Sequence, residues 1–418
     1  MRRRAIMRLA ALLAALCLLC GCAPADLNVP GDQTPAVQEE TPHEHMVQDD
    51  VPPQEEPEIA EPETPEEPEE PSRVSFVAVG DNLIHNTIFR AAKQADGSYD
   101  FSSMYAPVQD LIEAADLAYV NQEAPLSGEE PSGYPQFNSP QDVGRDLVAA
   151  GFDIVNQANN HSMDRYAKGV LATAAFWKTV PEALMIGMYD SQEARMEPKI
   201  IEKNGIRIGI VTYTYGTNGI PLPADKPYLV PLIDREAIAQ DVAALEGKCD
   251  IIMASMHWGA EYRLTPTDEQ RALAQYLTSL GVKLIVGMHP HVIEPMEWIE
   301  DESGNRALCM YSLGNFISSQ QKRDTMLGAM MHVTIEKAAD GSVSLTDAFV
   351  TPLVTHYEKG GKNYQVIPLA DYTEELAAKH AVNAYDKPVS AAYFSELAQE
   401  VFGAFLTGAN HTEEGAVS

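Results

Sequence analysis

Lys283-Leu284-Ile285-Val286-Gly287-Met288-His289-Pro290-His291 sets an apolar run of strand length against a cluster of polar residues. The run is β-branched and ends at a glycine, which reads as a buried strand. The same arrangement recurs upstream. Val74–Val79 runs into Gly80-Asp81-Asn82, and Leu117–Val120 into Asn121-Gln122-Glu123. Asp153–Gln157 is followed by Asn159-Asn160-His161, and Asp250–Ser255 by His257-Trp258-Gly259. Longer amphipathic stretches separate them. They predict helices over 106–115, 139–150, 168–179, 234–245 and 267–280, the second N-capped by Ser139 with Pro140 at its first position. Ile206–Tyr213 alternates like a further strand.

Strands that alternate with helices predict an α/β core. Beyond His291 the pattern changes. Residues 292–300, 306–312, 329–337 and 342–354 read as successive strands, with Asp340-Gly341 as a hairpin turn. These suggest a second sheet layer, and the chain returns to helix over 391–405. The folded domain is expected over 74–406. In open α/β sheets the carboxyl ends of the strands form the ligand crevice. The five polar clusters should therefore converge there.

What converges is a set of metal ligands: Asp81, Glu123, Asn160, His257, His289 and His291. Carboxylates, imidazoles and an amide suit Mn, Fe, Zn and similar ions. In an extended chain His289 and His291 point the same way and reach one ion or a close pair. Gly287 would allow a tight turn, and Pro290 would stiffen it. Each cluster alone has a plainer reading. Gly80-Asp81 makes an ordinary turn, and Asn159-Asn160-His161 makes a helix N-terminal cap. Trp258 and Tyr262 fit packing. A serine esterase would need a nucleophile beside the first cluster, where Asn82 stands.

Taken together, the clusters resemble the CapA family, named for poly-γ-glutamate capsule biosynthesis and related to the calcineurin-like metallophosphoesterases. The resemblance spans about 74–320. It rests on Val79-Gly80-Asp81, Asn121-Gln122-Glu123, Asn159-Asn160-His161 with Asp164, His257-Trp258-Gly259-Ala260-Glu261-Tyr262, Gly287-Met288-His289-Pro290-His291 and Tyr311-Ser312-Leu313-Gly314-Asn315-Phe316. It implies an α/β sandwich of two mixed sheets flanked by helices, and one or two divalent ions, Mn, Fe or Zn. Asp81 would ligate the first ion, and Glu123 would stand where the wider superfamily has a bridging aspartate. Asn160 would be the amide ligand, His257 the single mid-chain histidine, and His289 and His291 one ligand on each ion. His161 would protonate a leaving group, with Asp164 orienting it. Asn121, Glu261 and Asn315 would support the ligands or touch substrate. The chain departs from the superfamily at Leu83, where an Asp-x-His motif has its histidine; His85 is a candidate replacement. Glu123 and Asn121 stand without the usual Gly-Asp-x-x-Asp. The site accordingly holds one ion, or a looser pair.

The N-terminus gives location. Met1-Arg2-Arg3-Arg4 and Arg8 precede an apolar run from Leu9 to Leu19, the layout of a signal peptide over 1–21. The run falls short of the roughly 20 residues of a membrane span. Leu19-Cys20-Gly21-Cys22 resembles a lipobox, which implies a lipid on Cys22 and an extracytoplasmic protein anchored to the bacterial cell membrane. Ordinary cleavage and secretion is the alternative. Residues 23–73 hold sixteen acidic residues and one basic one, with proline recurring from Pro52 to Pro71. That composition predicts a disordered tether over 22–73, and 407–418 reads as a tail. His43 and His45 lie in the tether. The formal net charge of −32 argues against nucleic acid as a partner. The partners expected are the membrane, a capsule synthase complex, and a phosphoester substrate or an anionic envelope polymer. Cys249 and Cys309 are read as buried strand residues able to form a disulfide.

Overall fold

A computed structural model describes residues 71–406. The signal peptide, Cys22, nearly all of the tether with His43 and His45, and the tail lie outside the described residues. Along the chain come β1 (Ser72–Asn82), α1 (Asn86–Ala92), α2 (Ser102–Glu113), β2 (Leu117–Gln122), α3 (Asp142–Ala149), β3 (Ile154–Asn156), α4 (Tyr166–Trp177) and β4 (Leu184–Ile186). Then follow α5 (Gln192–Met196), β5 (Lys199–Lys203), β6 (Ile206–Thr214), α6 (Arg235–Leu245), β7 (Ile251–His257), α7 (Asp268–Ser279) and β8 (Leu284–Met288). The last part holds β9 (Ile293–Glu300), β10 (Arg306–Leu313), β11 (Asn315–Ile317), β12 (Leu327–Lys337), β13 (Val343–Glu358), β14 (Lys362–Pro368), α8 (Glu374–Lys379) and α9 (Ala391–Phe402).

The strands form two mixed sheets. One has the order β14-β13-β12-β1-β2-β3-β4, with β11 also paired to β1; the other has the order β5-β6-β7-β8-β10-β9. β1 to β4 run parallel, as do β6 to β8, while β12, β13 and β14 add antiparallel strands beside β1. This is the two-sheet sandwich flanked by helices that the sequence implies. The layer between the sheets takes alternate residues from each: Phe76 from β1, Ile206, Ile208 and Ile210 from β6, and Leu284, Val286 and Met288 from β8. Their neighbours Val211, Tyr213 and Ile285 face the other way, against Ile238 and Val242 of α6 and Leu273 and Leu277 of α7. Burial on both faces explains why these strands read as unbroken apolar runs. Helix α7 starts at a Thr267–Gln270 capping box, and α6 at Asp234, whose carboxylate accepts from the Ala237 N–H.

The chain crosses between the sheets at Gly314, where β10 ends and β11 begins. Asp81 N–H donates to the Gly314 carbonyl at 2.9 Å. A Cβ at Gly80 would lie 1.9 Å from that carbonyl oxygen, so only glycine fits. The contact ties the end of β1 to the crossover and fixes where Asp81 points.

Several sequence expectations shift. β1 begins at Ser72, inside the stretch assigned to the tether. Helix α3 begins at Asp142 behind Gln141, without a side-chain cap, so Ser139 and Pro140 precede it. Helix α9 stops at Phe402 and gives way to a 3-10 turn. Both cysteines are free thiols; Cys309 is buried in β10, but Cys249 is half-buried just after α6, so the strand reading holds for one alone. Elements α1, α5, β4, β5, β11, β14 and α8 were not foreseen. Among the described residues no helix is long and apolar enough to cross a membrane.

Candidate metal centre

Five strand ends build the site. β1, β2 and β3 are parallel neighbours and deliver Asp81, Glu123 and the loop of Asn160 and His161 from one sheet. β7 and β8 are parallel neighbours in the other and deliver His257, His289 and His291. Two fully buried groups of ligand atoms result, each with its members within 4.8 Å of one another. One holds Asp81, Glu123 and His291; the other holds Glu123, His257 and His289. Glu123 belongs to both, which is the layout of a bridging carboxylate between two ions. His257 Nε2 also lies 3.0 Å from Asn160 Oδ1, so the second group has four donors and the first has three.

The His289-Pro290-His291 turn differs from its sequence reading. The segment is not extended: His289 and His291 have φ of 104° and 60°. Their ring centroids lie 5.9 Å apart; His291 joins the Asp81 group and His289 the His257 group, while both also face Glu261. Gly287 does not make the turn. It lies within β8, where a Cβ would come 2.0 Å from the Tyr311 carbonyl oxygen, so its role is close approach of β8 to β10. Non-glycine residues at positive φ store strain, and strain held at a site marks function.

The chemistry of the donors fits divalent ions. Glu123 is fully buried, and neither of its carboxylate oxygens has a hydrogen-bond partner among the described residues. His257 Nδ1 and His289 Nδ1 are likewise buried without partners. Buried polar atoms are normally paired. An unpaired buried carboxylate between three histidines is what a cation would satisfy. Burial, and then the Asp81 charge, push the Glu123 carboxyl well above its ordinary range. Burial, and then the neighbouring histidines, hold His257 and His289 well below theirs. Both imidazoles are thus kept neutral, the form that ligates.

Behind Asp81 runs a chain of buried amides. Asn121 Nδ2 donates to Asp81 Oδ1 at 2.8 Å, Asn156 Nδ2 to Asn121 Oδ1 at 2.9 Å, and Thr212 Oγ1 to Asn156 Oδ1 at 2.7 Å. It starts in β6 and crosses the sandwich to β3, β2 and β1. Every link has one donor and one acceptor, so Asp81 Oδ1 must accept, and its carboxylate stays turned toward the site.

His161 stands at the mouth beside Asn160. Its Nδ1 lies 2.7 Å from Asp164 Oδ2, an oxygen that also accepts from Phe137 N–H at 2.7 Å. A carboxylate accepts only, so His161 carries a proton on Nδ1 and exchanges its other proton at Nε2. Asp164 lies in a turn before α4, not on a helix. Asn218 contacts both Asn160 and His161 at 3.3 Å. The half-exposed Tyr215 covers His289 with ring centroids 4.5 Å apart. Sequence reasoning missed both residues. They follow β6 in Tyr215-Gly216-Thr217-Asn218, a sixth polar cluster after a strand, which the same rule would have flagged.

Other candidates fall as follows. His85 joins neither group. It sits at the start of α1, with Nδ1 3.0 Å from the Leu83 carbonyl and its ring packed edge-on to Phe137; burial pushes its pKa down to about 4. It does not replace the histidine missing at Leu83. Asn315 Oδ1 lies 3.1 Å from His291 Nδ1, and its amide donates to the Thr325 carbonyl, so it braces His291. Glu261 stands at the exposed face of the pair, grouped with His289 and His291. Trp258 packs, with Nε1 donating to the Tyr311 carbonyl at 2.9 Å.

Residues 75–320 match a family profile described as "Bacterial capsule synthesis protein PGA_cap". The chain is 26% identical over 275 residues to "PGA biosynthesis protein CapA" of Bacillus subtilis (strain 168), covering 64% of this chain and 69% of that one. It is 25% identical over 260 residues to "Capsule biosynthesis protein CapA" of Bacillus anthracis, covering 59% and 60%. Among solved structures, Haemophilus influenzae NAD nucleotidase (NadN) overlaps with a TM-score of 0.42 and 10% identity, over 80% of this chain and 60% of that one. The matched segment runs from β1 to just past β11 and carries both ligand groups, His161 and the amide chain; the protein belongs to the PGA_cap family of bacterial capsule synthesis proteins.

Proposed function

We propose that this protein is an extracytoplasmic lipoprotein whose metal centre hydrolyses a phosphoester bond during the making or export of capsule, poly-γ-glutamate or another envelope polymer. The observation that carries the reading is Glu123, buried without a hydrogen-bond partner between His291 on one side and His257 and His289 on the other. Asp81, Glu123 and His291 would hold one divalent ion; Glu123, Asn160, His257 and His289 would hold the other. Bound ions supply Lewis acidity toward a phosphoryl oxygen and acidify water. The chain's own residues do the rest. Asp164 accepts the Nδ1–H hydrogen bond of His161 and so supports the imidazolium, which delivers its Nε2 proton to the departing oxygen. Asn160 positions His257, and Tyr215 closes one side of the centre against water.

The test is turnover of a generic phosphodiester, bis(p-nitrophenyl) phosphate, by the full chain loaded with Mn²⁺. The reading expects hydrolysis that chelation abolishes and His161→Ala lowers. Cys22→Ala tests the anchor: the protein should leave the membrane fraction, and retention there contradicts the lipid on Cys22.

A second reading is an accessory protein that binds an anionic envelope polymer without catalysis. Leu83 favours it, because the centre lacks a histidine that the wider superfamily has. Metal binding without turnover would move it to first place.

A further inference from the structure

The Asp81 side of the centre is one donor short, and His85 does not fill the gap. On the opposite, solvent-facing side, Glu261 brings a carboxylate oxygen within 4.8 Å of ligand atoms of both His289 and His291. The backbone of its loop is held there at a cost. Tyr262 adopts φ of 66°, a left-handed conformation unfavourable for a tyrosine. Its N–H donates to the Pro290 carbonyl at 2.8 Å, between the two histidines. Upstream, Trp258 N–H donates to the Met288 carbonyl at 3.1 Å. Gly259 has φ of 89°, and a Cβ there would strike the Gln270 side chain at 2.6 Å. The loop is thus tied to the histidine turn at both ends. Lys322 Nζ caps the Tyr262 ring, 3.3 Å from its centroid.

We propose that Glu261 is a direct metal ligand, a carboxylate that completes the coordination of the centre from its exposed side, beside His289 and His291. The inference rests on the metal centre proposed above. Glu261 adds a third carboxylate to Asp81 and Glu123 at the centre, a donor suited to a hard cation such as Mn²⁺. Glu123, Asn160, His257 and His289 give two imidazoles and suit Mn, Fe or Zn alike. A carboxylate arriving on an exposed loop also explains how a ligand set that loses its motif histidine still holds two ions.

The experiment measures Mn²⁺ bound to the full chain, by mass spectrometry and by electron paramagnetic resonance, in the wild type, Glu261→Gln and His85→Ala. The wild type should hold two equivalents with the spectrum of a coupled pair. Glu261→Gln should hold one, with the spectrum of an isolated ion, and Glu261→Asp should restore part of the second. His85→Ala should match the wild type. Melting of the metal-free forms checks that Glu261→Gln folds like the wild type. Two equivalents at unaltered affinity in Glu261→Gln would overturn the proposal alone. A wild type without Mn²⁺ would overturn the metal centre, and the proposal with it.

Discussion

Asn121 donates its side-chain amide to Asp81 Oδ1 at 2.8 Å, the last link of a buried chain that begins across the sandwich at Thr212. Asn121→Ala would leave a fully buried carboxylate oxygen without that donor. Such losses cost roughly 1.5–3 kcal/mol, and partners of ligands typically weaken metal binding by about 10–100-fold when removed. Competition titration with a chelator should show weaker binding in Asn121→Ala, and Thr212→Val should show a smaller effect in the same direction.

His161→Ala should lower phosphodiester turnover by about 10²–10⁴-fold, the range for a lost general acid, while metal content stays at the wild-type level. Asp164→Asn keeps a polar group beside His161 Nδ1 but removes the charge, and it should lower turnover less. Unchanged turnover in His161→Ala would contradict the acid role.

Glu294 supplies a pH test away from the centre. It is fully buried in β9, where Gln270 Nε2 donates to Oε2 at 2.6 Å and Oε1 has no partner among the described residues. Burial raises its pKa to about 7. The folded state therefore favours the protonated acid. Its stabilising effect is complete below the unfolded value of about 4.3 and is lost as pH rises through 7, at up to roughly 4 kcal/mol. Glu294→Gln should melt at a higher temperature than the wild type at pH 8 and at a similar one at pH 5. Equal melting at both would show that the carboxyl is not perturbed.

Much of this was legible in the sequence. The five strand-then-cluster units placed Asp81, Glu123, Asn160, His257 and the two late histidines together, because parallel strands in neighbouring positions put their carboxyl ends side by side. What was hidden depends on pairings remote in sequence. The β10–β11 crossover at Gly314, the reach of Asn156 and Thr212 between sheets, and the position of Glu261 all come from contacts that no local pattern encodes. The His289 turn was misread for the same reason: β8 lies so close to β10 at Gly287 that the bend falls on the histidines themselves.

Removing metal should destabilise the fold, since ions bind the native state and the empty centre leaves Glu123 beside Asp81. At a free ion concentration about 100-fold above Kd the stabilisation is about 2.7 kcal/mol. Thermal melts with Mn²⁺ and with excess chelator should differ in the wild type and differ less in His257→Ala.

The central claim is that the two strand-end clusters hold metal. The most direct measurement is the metal content of the purified full chain after reconstitution, beside a His289→Ala/His291→Ala double variant. The account expects about two equivalents of Mn, Fe or Zn in the wild type and none in the variant. Equal occupancy in both, or an empty wild type, would contradict it.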